Sequence, residues 1–241
     1  LLQHAEMALE ITDGSFTPEY TRDQLDLIRQ NSDLVLTDAE WGRWTGYPQF
    51  FKDQDWNDML IGNGNMQNYN VNISGGGERY SYMLSLGHQR EEGIPKFGED
   101  VNKRYFVRAK SSVEIFKNLT YDLNLAYEAS NRDYSSGLTE GQNIWELIYK
   151  TRSWTPMYNP SGTFYTFEGF DNPAQVLEDG GMVNKTTGNI TVNNQLRWKV
   201  IDGLQLVGQA VIRKYDMDEN VTNKKITNYD WDNNEVREKR T

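Results

Sequence analysis

The sequence predicts a mainly β fold, an antiparallel up-and-down segment of a large transmembrane β-barrel with long, partly helical extracellular loops. Three observations predict it. About six stretches alternate apolar and polar residues with period two. The connections between them run short, long, short, long, short. A barrel crossing an outer membrane keeps short turns at its periplasmic end and large loops outside, whereas a soluble sandwich has no reason to keep every second connection long. Aromatic residues mark both ends of the apolar stretches: Tyr80, Tyr82, Tyr121 and Trp198 near the short turns, Tyr69, Tyr105 and Tyr127 near the other ends. That is the spacing of two interfacial girdles.

The elements follow in order. Residues 1–67 form a partly helical extracellular segment. Leu2 to Ile11 suits a short helix, broken at Asp13-Gly14. Thr17-Pro18-Glu19 supplies a hydroxyl cap, a proline at the first helical position and an early acid for a second. Residues 31–64 are irregular and aromatic, with Trp41, Trp44, Tyr47, Phe50, Phe51 and Trp56. Residues 68–215 hold the strands. Tyr69, Val71 and Ile73 alternate with Asn70, Asn72 and Ser74, and Gly75-Gly76-Gly77-Glu78 is expected to turn the chain. Tyr80, Tyr82, Leu84 and Leu86 form the second apolar row. Tyr105, Val107, Ala109, Val113 and Ile115 form the third, from about Arg104, before a turn at Phe116-Lys117-Asn118. Leu119, Tyr121, Leu123, Leu125 and Tyr127 form the fourth. Ile190, Val192, Leu196, Trp198 and Val200 form the fifth, before Ile201-Asp202-Gly203. Leu204, Leu206, Ala210 and Ile212 form the sixth, blurred by Val207 and Val211. Each stretch is near the ~9–11 residues of a tilted membrane strand, the first being shorter.

The long connection at 129–188 exceeds the ~12–15 residues of a structureless loop, so it must carry structure of its own. Thr139 to Arg152 suits a helix with Ile144, Trp145, Leu147 and Ile148 on one side. Asp171-Asn172-Pro173 starts another, which Gly180-Gly181 ends. Residues 216–241 are expected to be a polar extracellular segment.

Composition narrows the function classes. The chain has 241 residues and a formal net charge of −10. An acidic chain is a poor partner for nucleic acid, whose phosphates call for a basic surface. No cysteine is present, so disulfides, thiolate metal sites and thiol nucleophiles have nothing to build on. His4 and His88 lack metal spacing, and His88 follows the lipid-facing parity near a strand end. Asp216-Met217-Asp218-Glu219-Asn220 starts like a calcium loop, but Val221 holds the glycine position and no closing Glu follows. The glycine runs lack the Lys-Ser/Thr of a phosphate loop. No cofactor, metal or catalytic residue is expected, and the chain is not expected to be an enzyme.

A soluble antiparallel sheet with one wet face explains the alternation equally well. A soluble carbohydrate-binding sheet module therefore stands as the alternative, and a glycoside-degrading enzyme is weaker because no site assembles. The connection lengths, the girdles and the lack of a return crossing favour the barrel. Six strands cannot close such a barrel and open edges are not tolerated in lipid, so further strands are expected on both sides. A start without Met and an end at Thr241 fit a piece of something longer.

Several runs resemble the SusC/RagA family of TonB-dependent outer-membrane transporters of Bacteroidetes. They are Asp55-Trp56-Asn57-Asp58, Gln67-Asn68-Tyr69-Asn70-Val71-Asn72-Ile73-Ser74-Gly75-Gly76, and Tyr82-Met83-Leu84-Ser85-Leu86-Gly87-His88. Glu92-Gly93-Ile94, Lys103-Arg104-Tyr105, Arg108, Asn172-Pro173 and Gly203-Leu204 continue the likeness, which extends over most of residues 50–215. The resemblance implies part of an importer of glycan or peptide oligomers in the bacterial outer membrane. It implies a SusD-like surface lipoprotein, TonB engaged through parts not in this chain, and a barrel of about 22 strands around a plug. Trp145, Trp154, Tyr158, Phe164, Tyr165 and Phe167 are candidates for cargo or partner contact, set against a role in the loop's own small core. Arg104, Arg108, Lys110, Asp122, Arg197 and Arg213 are expected to line the lumen.

Overall fold

The structure is a computed structural model. It describes residues 36–38, 40–45, 54–138, 144–153, 155–166 and 171–240, with the side chains of 36–38 and 237–240 outside the description. The helices expected at Leu2 to Ile11 and from Thr17, and the candidate residues Trp154 and Phe167, lie outside the described residues. In chain order the elements are β1 (Leu36–Asp38), β2 (Arg43–Thr45), α1 (Trp56–Leu60), β3 (Asn65–Gly77), β4 (Tyr80–Glu92), β5 (Asp100–Phe116) and β6 (Leu119–Ser135). A 3-10 turn (Ser136–Leu138), α2 (Ile144–Lys150), α3 (Pro173–Asp179), β7 (Gly181–Ile201), β8 (Leu204–Asn223), β9 (Lys225–Tyr229) and β10 (Glu235–Arg240) follow. The chain divides into two compact units, 63–135 with 182–222, and 1–62 with 136–181 and 223–241.

The first of these is a six-stranded antiparallel sheet in the order β3-β4-β5-β6-β7-β8. Sequential order means that each strand pairs with its chain neighbour, the up-and-down arrangement that the alternation predicts. Two-residue turns at Glu78-Arg79, Lys117-Asn118 and Asp202-Gly203 close one end. Gly203 takes φ +87° there, a value that side chains disfavour. The connections at 93–99 and 136–180 leave from the other end.

Two differences from the sequence reading have clear causes. Gly75, Gly76 and Gly77 are strand, not turn. Gly75 pairs with Tyr82 and Gly77 with Tyr80. A Cβ on Gly75 would stand 2.6 Å from the Tyr82 hydroxyl and one on Gly77 2.9 Å from the Tyr80 ring. The glycines therefore let two tyrosine rings lie across the neighbouring strand, and Glu78-Arg79 makes the turn. The strands are also longer than the alternation suggests. β5 and β6 have 17 residues each, β7 has 21 and β8 has 20. Alternation reports only the part of a strand with one apolar face. Above it the hydrogen-bond ladder continues with polar residues on both faces, such as Asp133 beside Asn184 on one and Arg132 beside Lys185 on the other. A bulge between Glu114 and Phe116 shifts Ile115 out of register and brings Phe116 opposite Leu119.

The second unit is small and partly helical. β1 pairs with β2 and β9 with β10, both antiparallel. Asp55 caps α1, accepting from Asn57 N at 2.9 Å and Asp58 N at 3.1 Å. Asn172 caps α3 ahead of Pro173, as the sequence signal predicts. Its other amide end donates to Met157 O at 2.8 Å and Tyr165 O at 2.9 Å, so one buried side chain ties the helix start to two separate points of the loop. Trp56, Leu60, Ile144, Ile148, Met157, Tyr165, Ala174, Val176, Leu177 and Ile226 form the core. No helix among the described residues is long and apolar enough to cross a membrane, which says nothing of strands.

Candidate functional site

The sheet register sorts the predicted rows onto two faces. Val71, Leu86, Val107, Tyr127 and Ile190 are successive cross-strand partners, as are Ile73, Leu84, Ala109, Leu125 and Val192. Neither Leu84 (36% exposed), Leu206 (52%) nor Leu123 is buried by another layer. At the long-loop end of this band Tyr69, His88 and Tyr105 are in register, with ring centroids 6.4 Å and 4.8 Å apart. Tyr80, Tyr82, Tyr121 and Trp198 lie toward the short turns. From Tyr80 to His88 is about 27 Å along the strand, or about 21 Å in depth at a tilt near 40°, close to the ~25 Å apolar band of an outer-membrane barrel.

Two polar residues on this face escaped the sequence reading: Ser111, between Tyr82 and Leu123, and Asn194. Asn194 stands opposite Leu123 in the apolar rows, and the Tyr121 hydroxyl donates to its Oδ1 at 2.5 Å. Its parity with Leu196 and Trp198 was the available signal.

The opposite face is polar and carries all six residues expected in the lumen. Arg104 pairs with Glu128 at 2.5 Å, its guanidinium 5.3 Å from the Phe106 ring centroid. Asp122 accepts from Arg197 Nε at 2.7 Å and Nη2 at 2.8 Å, and from Ser112 Oγ at 2.7 Å. This is a two-point ion pair whose geometry fixes both side chains. Arg108 sits between Ser85 and Ala126, and Lys110 between Met83 and Asn124. The Gln209 amide donates to Asn193 at 3.0 Å, which puts Gln209 on this face, and Arg213 with it by strand parity. Among the described residues Arg108, Lys110 and Arg213 meet no carboxylate. Lys110, Asp122, Asn124, Asn193 and Arg197 line a trough of about 580 Å³. The face offers amides, hydroxyls and cations, a surface suited to polar ligands. Among the described residues no group of three or more His, Asp or Glu gathers to hold a metal ion.

The expected aromatic site is only partly assembled. Tyr158 and Phe164 pack with ring centroids 4.8 Å apart and share a β-bridge. Tyr165 is 3% exposed and meets the edge of Trp231 at 5.7 Å, inside the loop unit. Trp231 also stacks near Trp44 at 6.0 Å, an association that only the fold reveals. Trp145 points outward from α2, 52% exposed, away from buried Ile144 and Ile148. Burial raises the Tyr158 hydroxyl above its ordinary pKa, with Glu178 and Asp179 adding to the effect. Burial likewise raises the Asp179 carboxyl, Glu178 adds to it, and Lys224 opposes it.

A one-layer, sequentially wound sheet with an apolar band between aromatic girdles and a polar reverse face defines a class, the wall of a transmembrane β-barrel. Comparison with known proteins points the same way. TonB-dependent receptor P26 of Formosa agariphila is 29% identical over 124 residues, a match covering 52% of this chain and 11% of that protein. The RagAB peptide importer in its open-open state matches with a TM-score of 0.60 and 18% identity, over 90% of this chain and 25% of that one. Its closed-closed state gives 0.58 and 19%, over 70% and 20%. At such identities the solved structures show the fold. No protein-family model matches the chain. The resemblance to SusC/RagA-type TonB-dependent transporters read from the sequence is therefore met again, in a TonB-dependent receptor by sequence and in RagAB by fold. The matched part spans about a tenth of the curated relative and a quarter or less of the solved chains.

Proposed function

We propose that the chain is a wall-and-loop segment of a TonB-dependent outer-membrane importer, in which the apolar face meets lipid and the polar face looks into the lumen. The in-register apolar band of β3 to β7, continued by the exposed apolar row of β8, with no layer of the described residues over Leu84, Leu123 and Leu206, carries this reading. Water-exposed leucines in rows are costly, at about 25 cal/mol per Å² of apolar surface, and lipid removes that cost. The outer strands β3 and β8 pair with strands supplied by the rest of the polypeptide, because unpaired edges are not stable in lipid. The short turns then face the periplasm, and the loop unit lies outside the cell. Arg104, Arg108, Lys110, Asp122, Arg197 and Arg213 line the lumen.

Cargo is an oligopeptide or oligosaccharide, captured with a SusD-like surface lipoprotein and moved at the expense of energy delivered by TonB. Of the aromatic candidates among the described residues, Trp145, Tyr158 and Phe164 remain accessible to cargo or to that lipoprotein, while Tyr165 is buried. The chain carries out no bond chemistry in this reading. Fractionation of cells making the full-length protein tests it. Recovery in the outer membrane with extraction only by detergent is expected, together with loss of oligomer uptake on deletion. A water-soluble full-length product contradicts the assignment.

A further inference from the structure

The polar face of the sheet holds more cations than it can pair. Among the described residues it carries two carboxylates between the girdles, Asp122 and Glu128. Both are taken, Asp122 by Arg197 and Ser112, and Glu128 by Arg104. Arg108, Lys110 and Arg213 are left over, exposed and facing no carboxylate among the described residues. The chain as a whole has a net charge of −10, so this excess belongs to the face and not to the composition. A hollow lined by one sign of charge, with walls of low dielectric, focuses its field and concentrates ions of the other sign. Arginine and lysine rings select anions in pores for the same reason.

The surroundings narrow the anion. Lys110 opens onto the trough of about 580 Å³, where Ser81, Asn124, Asn193 and Gln195 add hydroxyl and amide groups. Such groups both donate and accept, as a peptide backbone requires of its partners. Arg108 and Lys110 are two residues apart on one face of β5, about 7 Å at ~3.4 Å per residue. Alternate side chains of an extended peptide share that spacing. A sugar ring would stack on an open aromatic face. Between the girdles the polar face of β4 to β7 carries one aromatic residue, Phe106, and the Arg104 guanidinium lies over its ring.

We propose that this face is an anion-selective wall and that its occupant is an acidic oligopeptide, drawn extended along β5 with alternate carboxylates meeting Arg108 and Lys110 while Arg213 adds to the field. The proposal rests on the importer reading, which makes the occupant cargo.

Calorimetric titration of the purified full-length protein, its folding checked on a heat-modifiability gel, tests it with three probes. These are an alternating Glu-Ser hexapeptide, its Gln-Ser counterpart and a galacturonate trimer. The acidic peptide should bind at least tenfold tighter than either of the others. Its margin over the glutamine peptide should shrink by about threefold or more between about 50 and about 500 mM salt, because screening shortens the reach of the field. Arg108→Gln/Lys110→Gln/Arg213→Gln should cut that margin to about threefold or less, and Lys110→Glu alone should cut it at least fivefold. Equal binding of the acidic and glutamine peptides, a margin indifferent to salt, or a margin kept in both variants overturns the proposal. Tighter binding of the galacturonate trimer overturns the peptide as occupant. Loss of folded protein in the triple variant, with the margin kept in Lys110→Glu, assigns the cations to an interior segment of the same polypeptide and overturns the proposal as well. A protein that extracts only with detergent yet shows no acid preference overturns the wall and leaves the importer reading standing. A water-soluble full-length protein that keeps the preference does the reverse.

Discussion

Leu84→Arg gives the sharpest mutational test of the face assignment. Leu84 is four residues from Tyr80 and four from His88, the girdle residues of its strand. That is about 14 Å along the strand in each direction and about 10 Å in depth at a tilt near 40°, so Leu84 lies at mid-band. Its in-register neighbours are Ile73 and Ala109, neither of which can accept a hydrogen bond through its side chain. Arginine at the bilayer midplane of a barrel costs ~2–4 kcal/mol, falling to ~0–1 near the interfaces. The companion substitution Asn124→Arg enters the polar face directly opposite Lys110. Like charges opposite one another cost up to ~1 kcal/mol there. Denaturant unfolding of the full-length protein in lipid vesicles, followed by tryptophan fluorescence, measures both. Leu84→Arg should lose at least ~1 kcal/mol more than Asn124→Arg. Equal losses, or a larger loss at Asn124, would refute the assignment of lipid to the even-numbered face of β4.

Further expectations concern single contacts. Tyr121→Phe strips the Asn194 amide of its partner in the apolar band and should cost about 1–3 kcal/mol in the same assay; Tyr80→Phe, without such a contact, should cost much less, and parity between the two would remove the role given to the hydroxyl. Gly75→Val places a branched side chain where the Tyr82 ring lies, and should reduce the folded fraction on a heat-modifiability gel, whereas Ser74→Val on the other face should not. Asp179 has a folded pKa raised above 3.8, chiefly by burial. The folded loop therefore holds that proton more tightly. Its stabilisation is complete below about pH 3.8 and is lost as pH rises through the raised value. Asp179→Asn should then slow hydrogen exchange across 171–180 at pH 7 and have little effect near pH 3; the opposite pH ordering would show the carboxylate to be favourable when charged.

Much of the sheet was legible because lipid or core contact enforces a period of two. Every apolar row found in β3 to β8 was visible as alternation, from Tyr69 to Ile212. What escaped notice had no such enforcement. The upper parts of β5, β6 and β7 carry polar residues on both faces, so no composition pattern announces the meeting of Asp133 with Asn184, which share a ladder pair and a side-chain hydrogen bond. The glycines at 75–77 looked like a turn because glycine usually marks one; only the cross-strand partners Tyr82 and Tyr80 reveal why a flat strand needs them. In the loop unit, caps were legible at Asn172-Pro173 because capping is local. The meeting of Trp44 with Trp231, far apart in sequence, was not. The polar-face residues were identified by parity, yet their pairing was not: Asp122 finds Arg197 across a 136–180 insertion, while Arg108 and Lys110 meet no carboxylate among the described residues.

Alternating solvent exposure along one strand tests the central claim most directly. Spin labels placed singly from Tyr80 to His88 in the full-length protein, reconstituted in a bilayer, report collision with oxygen dissolved in lipid or with a nickel chelate dissolved in water. Positions 80, 82, 84, 86 and 88 should favour oxygen and positions 81, 83, 85 and 87 the chelate or neither. A strand on which the even positions favour the chelate, or are shielded from both reagents, would contradict a lipid-facing wall.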